Sequence, residues 1–125
     1  MEYLKLKKFA TKIVKQYIDI PIEVSEINYF LNNRVMGAFF PADNKIVLYF
    51  PLLANKTKRE LKYIILHEVA HALKQNKYSS IKELNHGPKF QQICKSLGIP
   101  KKEYYNPYRK ENIFSGWSFG YTNFS

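Results

Sequence analysis

Cysteine is almost absent from this chain, which has Cys94 as its single thiol among 125 residues. One cysteine can form neither an internal disulfide nor a zinc site built from several thiolates. Long hydrophobic runs are also missing. The longest, residues 46–54, is interrupted by Pro51 and falls far short of the roughly 20 apolar residues that cross a bilayer. The first residues mix lysines with apolar side chains, unlike a secretory signal. We therefore expect a cytoplasmic protein without membrane contact.

Acidic residues are scarce, with 10 Asp plus Glu against 20 Lys plus Arg and a formal net charge of +10. A field of this sign favours polyanions such as nucleic acid, although a well-solvated lysine-rich surface explains the charge equally well. Hydrophobic residues make up 46% of the chain. That content and the chain length fit one compact domain with an ordinary core.

The first half of the chain contains patterns typical of one helix and three strands. Residues 2–19 place apolar side chains at helical spacing with lysines mainly on the other side, which predicts a basic amphipathic helix ending before Pro21. The following segment is rich in β-branched and aromatic residues and is broken by the turn-prone pairs Asn32-Asn33 and Asp43-Asn44. This pattern predicts a small three-stranded antiparallel sheet, with strands near residues 24–31, 34–40 and 45–50.

Two further helices are predicted after the strands. Thr57 and Glu60 form a capping box, so a helix is expected to begin near residue 58. Apolar residues cover most of its circumference, which predicts burial on nearly every side. After a polar loop, Asn85 is the expected cap of the next helix, with Pro88 in its first turn and Gly98 at its end. The fold class is therefore α+β.

The buried helix carries two histidines four residues apart, in the sequence His67-Glu68-Val69-Ala70-His71. Four residues correspond to about 400° of rotation, so both rings leave the same face and can bind one metal ion. Glu68 lies about 100° further round, where its carboxylate can act on a metal-held water without being a ligand. This HExxH arrangement combines two zinc ligands with a general base.

A third ligand must come from elsewhere, because a catalytic zinc usually takes three protein ligands. Lys74 and Lys77 stand where the metzincin pattern requires Gly and His, which excludes that class. His86 is the favoured third ligand, and Glu83 is the alternative. The competing interpretation is a pair of core histidines bonded to backbone carbonyls, with Glu68 at the surface. It leaves three ionisable groups on an apolar helix without the compensation that a divalent cation provides.

These residues resemble the metalloprotease core of SprT-like proteins, which include the Spartan proteases that act on DNA–protein crosslinks. The resemblance rests on the segments HEVAHAL, HGPKF and ICKSLG, and spans roughly residues 3–99. It implies a minimal zincin-like fold, in which the helix after the HExxH helix carries the third ligand. It also implies His67, His71 and His86 as ligands of Zn²⁺, with Glu68 as the catalytic acid/base.

The resemblance divides the chain into residues 1–99, a SprT-like core, and residues 100–125, an aromatic and basic tail. Many SprT-like proteins append a four-cysteine zinc ribbon, which has no counterpart here because Cys94 stands alone. Cys94 is expected to be a small buried hydrophobe. The tail is expected to pack on the core or line the cleft, although its aromatic residues suit the stacking of single-stranded nucleic acid bases.

Together, the residues and the resemblance predict a zinc-dependent metallopeptidase that hydrolyses peptide bonds, including those of DNA-associated proteins. Glu68 would activate the attacking water, and Tyr63 or a tail tyrosine would stabilise the oxyanion. DNA, single-stranded or non-specific, is the expected partner besides the protein or peptide substrate. Two alternatives stay open: a nucleic-acid-binding protein with a structural zinc closed by a fourth ligand, and a metal hydrolase of a non-peptide substrate.

Overall fold

The computed structural model of the chain describes residues 1–27, 35–78, 86–104 and 123–124. Within these ranges the helices are α1 (Tyr3–Lys15), α2 (Phe50–Leu53), α3 (Lys58–Tyr78), α4 (Pro88–Ser96) and α5 (Lys101–Tyr104). The strands are β1 (Ile22–Ser25), β2 (Gly37–Phe40), β3 (Lys45–Tyr49) and β4 (Asn123–Phe124). The predicted α+β class is confirmed. No helix in the described ranges combines the length and apolar character needed to span a membrane.

The strands form one mixed sheet in the order β1-β3-β2-β4. β3 pairs with β2 in antiparallel fashion, with Ile46 opposite Phe39, whereas β1 lies parallel to β3. The prediction of an antiparallel-only sheet is therefore wrong. Parallel neighbours need a connection of about a dozen residues or more. The chain between Ser25 and Lys45 provides that length and includes β2. In the sheet, β3 lies between β1 and β2, so β2 does not pair with β1.

The turn between β2 and β3 lies at Asp43-Asn44, as predicted from the sequence. Asn44 has a φ of 49°, in the left-handed region that asparagine enters more readily than most residues. β3 ends at Tyr49, because Phe50 and Pro51 begin α2, and proline fits the first turn of a helix better than a central strand. The other predicted turn, at residues 32–33, lies outside the described residues.

Helix α1 is amphipathic, as its sequence spacing predicts. The buried residues Leu6, Ala10 and Val14 recur every four residues and face the core, while the lysines are exposed. The helix ends at Lys15, earlier than predicted. There the amide of Tyr17 donates to the carbonyl of Val14 at 2.9 Å, which closes a tighter turn at the helix end.

Helix α3 begins behind the predicted capping box. The Glu60 amide donates to the Thr57 hydroxyl and the Thr57 amide donates to the Glu60 carboxylate, each at 3.1 Å. Every residue from 65 to 72 is buried, which covers about two full turns. The prediction of a helix enclosed on nearly all sides is confirmed for residues 65–72, whereas Lys62 within the predicted stretch is exposed.

Two hydrophobic clusters pack against different sides of α3. The larger cluster includes Leu6, Phe39 and Ile65 and lies between α1, α3 and one face of the sheet. The second includes Phe90 and Cys94 and joins α3 to α4 and α5. Cys94 is fully buried, as predicted, and burial raises the pKa of its thiol to about 12. Such a thiol is a packing group rather than a nucleophile.

Helix α4 starts and stops with residues that the sequence predicts for these positions. Pro88 occupies its first turn behind Gly87, and Gly98 follows its end with a φ of 78° that suits glycine. The N-cap is Gly87 and not the expected Asn85, which lies outside the described residues. In the tail, α5 buries Tyr104 in the second cluster and β4 pairs with β2, whereas residues 105–122 lie outside the described ranges. A cleft-lining role for the tail stays a prediction.

Candidate metal centre

Three buried histidines converge between α3 and the start of α4. His67, His71 and His86 each offer a ring nitrogen, and these nitrogens all lie within 4.8 Å of one another. The Nε2 atoms of His67 and His86 are 3.2 Å apart. Only 7%, 1% and 4% of the three residues is exposed, respectively. The structure thus brings together the three histidines that the sequence predicts as metal ligands.

Local structure explains how the third histidine reaches the other two. His67 and His71 lie on successive turns of α3, while His86 lies in the turn that leads into α4. The carbonyl of His86 accepts a hydrogen bond of 2.9 Å from Nε2 of Gln91, which ties this turn to α4. Helix α4 is in turn fixed against α3 by the second hydrophobic cluster. The other candidate, Glu83, lies outside the described residues.

Phe90 packs against all three imidazoles. Its ring stacks on His71 with centroids 4.3 Å apart and planes at 22°. It meets His67 and His86 edge-on at 5.0 and 4.9 Å. These contacts were not predicted from the sequence, because Phe90 fits the apolar stripe of α4. The available signal was an aromatic residue close after His86, in the segment HGPKF.

Glu68 is fully buried on the side of α3 that faces β2. Neither carboxylate oxygen has a hydrogen-bond partner among the described residues. Burial raises the pKa of Glu68 well above its usual range, and the nearby backbone N–H of Phe39, which favours the charged form, opposes this only in part. The alternative that places Glu68 at the surface is therefore wrong.

The donor set fits a transition-metal ion. Imidazole nitrogens bind zinc, copper, iron and nickel, and a set of three leaves a position for water or substrate in a four-coordinate zinc site. Across the described ranges, no further His, Cys, Asp or Glu joins the three histidines. A buried carboxyl without a partner is costly next to such a cluster, and a bound cation offsets that cost. The residues present thus fit a metal ion held by three protein ligands.

Comparison with known proteins identifies the family. The sequence pattern of the SprT-like family matches residues 6–110, which include all three histidines and Glu68. The chain belongs to the SprT-like family. No curated protein and no solved structure matches it. In this SprT-like protein the family match extends past residue 99, the expected end of the core, and includes α5 of the tail.

The predicted oxyanion donors have packing contacts in the described part of this SprT-like protein. Tyr63 lies against the second cluster, and the guanidinium carbon of Arg59 lies 5.9 Å from its ring centroid. Tyr104, the tail tyrosine within the described ranges, is 7% exposed in the same cluster. Donation by a tyrosine to an oxyanion stays a prediction.

Gly37 lies where β2 packs closely on β3 and α3. A Cβ atom there would lie 3.0 Å from Cδ2 of Leu48, 3.2 Å from the carbonyl oxygen of Val47 and 3.7 Å from Cγ of Glu68. We expect Gly37→Ala to lower the free energy of unfolding by about 1–3 kcal/mol, because the backbone carbonyl cannot move aside. Urea unfolding of the metal-free protein measures this loss. Gly98→Ala is the contrasting variant: its Cβ meets nothing within 4 Å, so any loss there comes from the positive φ of 78° and not from packing. An unchanged midpoint for Gly37→Ala would contradict close packing at β2.

Proposed function

We propose that this SprT-like protein is a zinc-dependent metallopeptidase whose metal is held by His67, His71 and His86. One observation carries the proposal: three buried imidazole nitrogens lie within 4.8 Å of one another, and the next residue of α3 after His67 is a buried carboxyl. Family membership supports hydrolytic chemistry at this centre. The proposed substrates are proteins or peptides, including proteins associated with DNA.

The proposed roles divide between the metal and Glu68. A zinc ion held by the histidines would supply a Lewis acid that polarises the scissile carbonyl and makes water more acidic. Glu68 takes a proton from the attacking water onto a carboxylate oxygen and returns it to the nitrogen of the leaving amine. Phe90 covers one side of the histidines with carbon atoms.

A structural zinc site is the main competing interpretation of the same residues. Such a site is usually closed by four protein ligands. In the part of the chain that the structure describes, the histidine cluster has no fourth ligating side chain, which favours the catalytic interpretation. X-ray absorption spectroscopy of the zinc-loaded protein separates the two. Three nitrogens and one oxygen from water support the peptidase, whereas four protein ligands support a structural role.

Peptide hydrolysis is tested directly with a zinc-loaded sample and an unfolded polypeptide, with and without DNA. We expect new peptide termini in mass spectra, their loss after chelation, and their return after zinc is restored. The Glu68→Gln variant, purified in the same way, reports any contaminating protease. If zinc-loaded protein leaves every polypeptide intact but cleaves a non-peptide ester, the second hydrolytic alternative takes the place of the peptidase.

An exposed row of lysines on α1 favours nucleic acid binding as a second function. This α1 lysine row consists of Lys5, Lys7, Lys8, Lys12 and Lys15, all of them exposed. Helix α1 contains no acidic residue, and its opposite face is packed into the core, so the lysines face outward. We propose that this row contacts the phosphates of single-stranded or non-specific DNA. The chain's net charge of +10 supports such an encounter.

Charge reversal on the α1 lysine row tests this second function. We expect Lys8→Glu/Lys12→Glu to weaken binding of single-stranded DNA and to flatten its salt dependence, because each lost phosphate contact lowers the slope of log K against log salt by about 0.7. Fluorescence anisotropy across a salt series measures both effects.

The matched control for the lysine row is Lys58→Glu/Lys62→Glu, which makes the same charge change at exposed positions of α3. This control should keep the slope of the unmodified protein. If both double variants lost the same DNA affinity, the lower net charge alone would explain the loss, and the α1 lysine row would have no specific role. An absence of binding even at low salt would remove the nucleic acid function.

A further inference from the structure

We propose that Phe90 is a positioning residue for the metal centre: its ring fixes the three imidazoles at the spacing required to share one ion. The inference rests on the proposed function, because it concerns the same three histidines. It goes beyond that function by assigning the geometry of the centre to a side chain that cannot itself bind a metal.

The contacts of Phe90 differ in kind around the centre. The ring is stacked on His71, with planes at 22°, but stands nearly upright to His67 and His86, at 65° and 84°. Stacked and edge-on aromatic contacts each have a preferred geometry. One fully buried ring therefore restrains three imidazole orientations together.

Such a restraint matters because the ring torsion of histidine is soft. The χ2 torsion of an imidazole has a broad energy profile, so packing and hydrogen bonds must select the ring orientation. In metal sites, groups outside the ligand set usually perform this selection and tune the affinity for the ion. The flat face and the edge of Phe90 restrain the orientation of the three imidazoles, in addition to any polar partners of the imidazoles.

The position of Phe90 in α4 couples the third ligand to the first two. His86 lies in the turn that leads into α4, and its ring meets that of Phe90 in the first turns of the helix at a centroid distance of 4.9 Å. The same ring belongs to the hydrophobic cluster that joins α4 to Leu66 and Ala70 of α3. Docking of α4 against α3 thus delivers a ligand and its positioning group in one step. The imidazole nitrogens are then close together before an ion binds, which lowers the entropic cost of ordering them on binding.

The decisive variant is Phe90→Leu, which keeps an apolar side chain in the cluster but removes the flat ring. We expect its zinc affinity, measured by competition with a chromophoric chelator, to fall by about ten- to a hundredfold, as for other residues that orient metal ligands. We also expect a changed visible spectrum of bound Co²⁺, because the ligand geometry is less well defined. If the leucine variant does not fold, Phe90→Met is measured instead, since methionine adapts to irregular gaps.

The control separates positioning from general stability. Leu61→Ala truncates a fully buried side chain of α3 in the other hydrophobic cluster. It should lower the denaturation midpoint yet leave zinc affinity and the Co²⁺ spectrum unchanged wherever the protein is folded. A folded Phe90→Leu protein with the original affinity and spectrum overturns the inference. An equal affinity loss in Leu61→Ala overturns it as well.

The readouts also distinguish this inference from the proposed function. If the unmodified protein binds zinc but cleaves no polypeptide, and Phe90→Leu still loses affinity, the peptidase fails and the positioning role stands. If the unmodified protein cleaves polypeptides and Phe90→Leu keeps its affinity and spectrum, the positioning role fails alone. A protein that binds neither zinc nor cobalt overturns both.

Discussion

Replacing Glu68 by glutamine is expected to abolish peptide hydrolysis while the protein keeps its fold and its metal. Glutamine has nearly the same shape as glutamate but cannot accept a proton at neutral pH or return it to a leaving amine. General acid–base catalysis typically contributes about 10²–10⁴-fold to a rate. The turnover rate should therefore fall by at least about a hundredfold, a loss measured by quantifying new peptide termini over time.

Retention of fold and metal follows from the surroundings of Glu68. The side chain is fully buried, so an amide of equal size fills the same space without leaving a cavity. It also removes an ionisable group whose oxygens have no hydrogen-bond partner among the described residues. His67 and His71 leave another face of α3 than Glu68, and His86 lies in the turn before α4, so zinc content by elemental analysis should stay unchanged.

Helix α3 offers a matched control for this variant. Glu60→Gln makes the same chemical change at an exposed position of the same helix, where glutamine also suits a capping box. Turnover in Glu60→Gln should equal that of the unmodified protein. Full activity in Glu68→Gln would exclude the proposed acid/base role. If the variant lost both activity and zinc, the loss of activity would be explained by the missing metal and not by the missing proton transfer.

The candidate site was predictable because its signals are local. The spacing of His67 and His71 fixes their common face as soon as the segment is helical, and the Thr57 capping box sets where that helix begins. His86 precedes the proline that opens α4, so a short segment links it to a second helix. Each of these signals needs only a few neighbouring residues.

Features that depend on distant parts of the chain were not predictable in the same way. The parallel pairing of β1 with β3 depends on where the connection between β1 and β2 crosses the sheet, and neither strand sequence encodes that path. Phe90 looks like any apolar residue of α4, since contact with His67 and His71 arises only when the two helices dock. The burial of Glu68 toward β2 is equally non-local, because it depends on close packing at Gly37.

Removal of the third histidine should have the largest effect on metal binding. In His86→Ala the two histidines of α3 remain, but the turn before α4 no longer supplies a ligand. Groups that merely orient ligands change affinity by about ten- to a hundredfold. The loss of a ligand itself should therefore exceed about a hundredfold, and the purified variant should contain little zinc by elemental analysis.

The protein should remain folded after this change, because α4 is fixed to α3 by Phe90 and its cluster rather than by the imidazole of His86. Circular dichroism and the unfolding midpoint of the metal-free protein check this point. His86→Glu is the informative companion, since a carboxylate oxygen can replace the nitrogen and should recover part of the affinity. Zinc content at the original level in His86→Ala would assign the third ligand elsewhere. Glu83→Gln would then be the variant expected to lose the metal, and α4 would keep its packing role while the turn before it held no ligand.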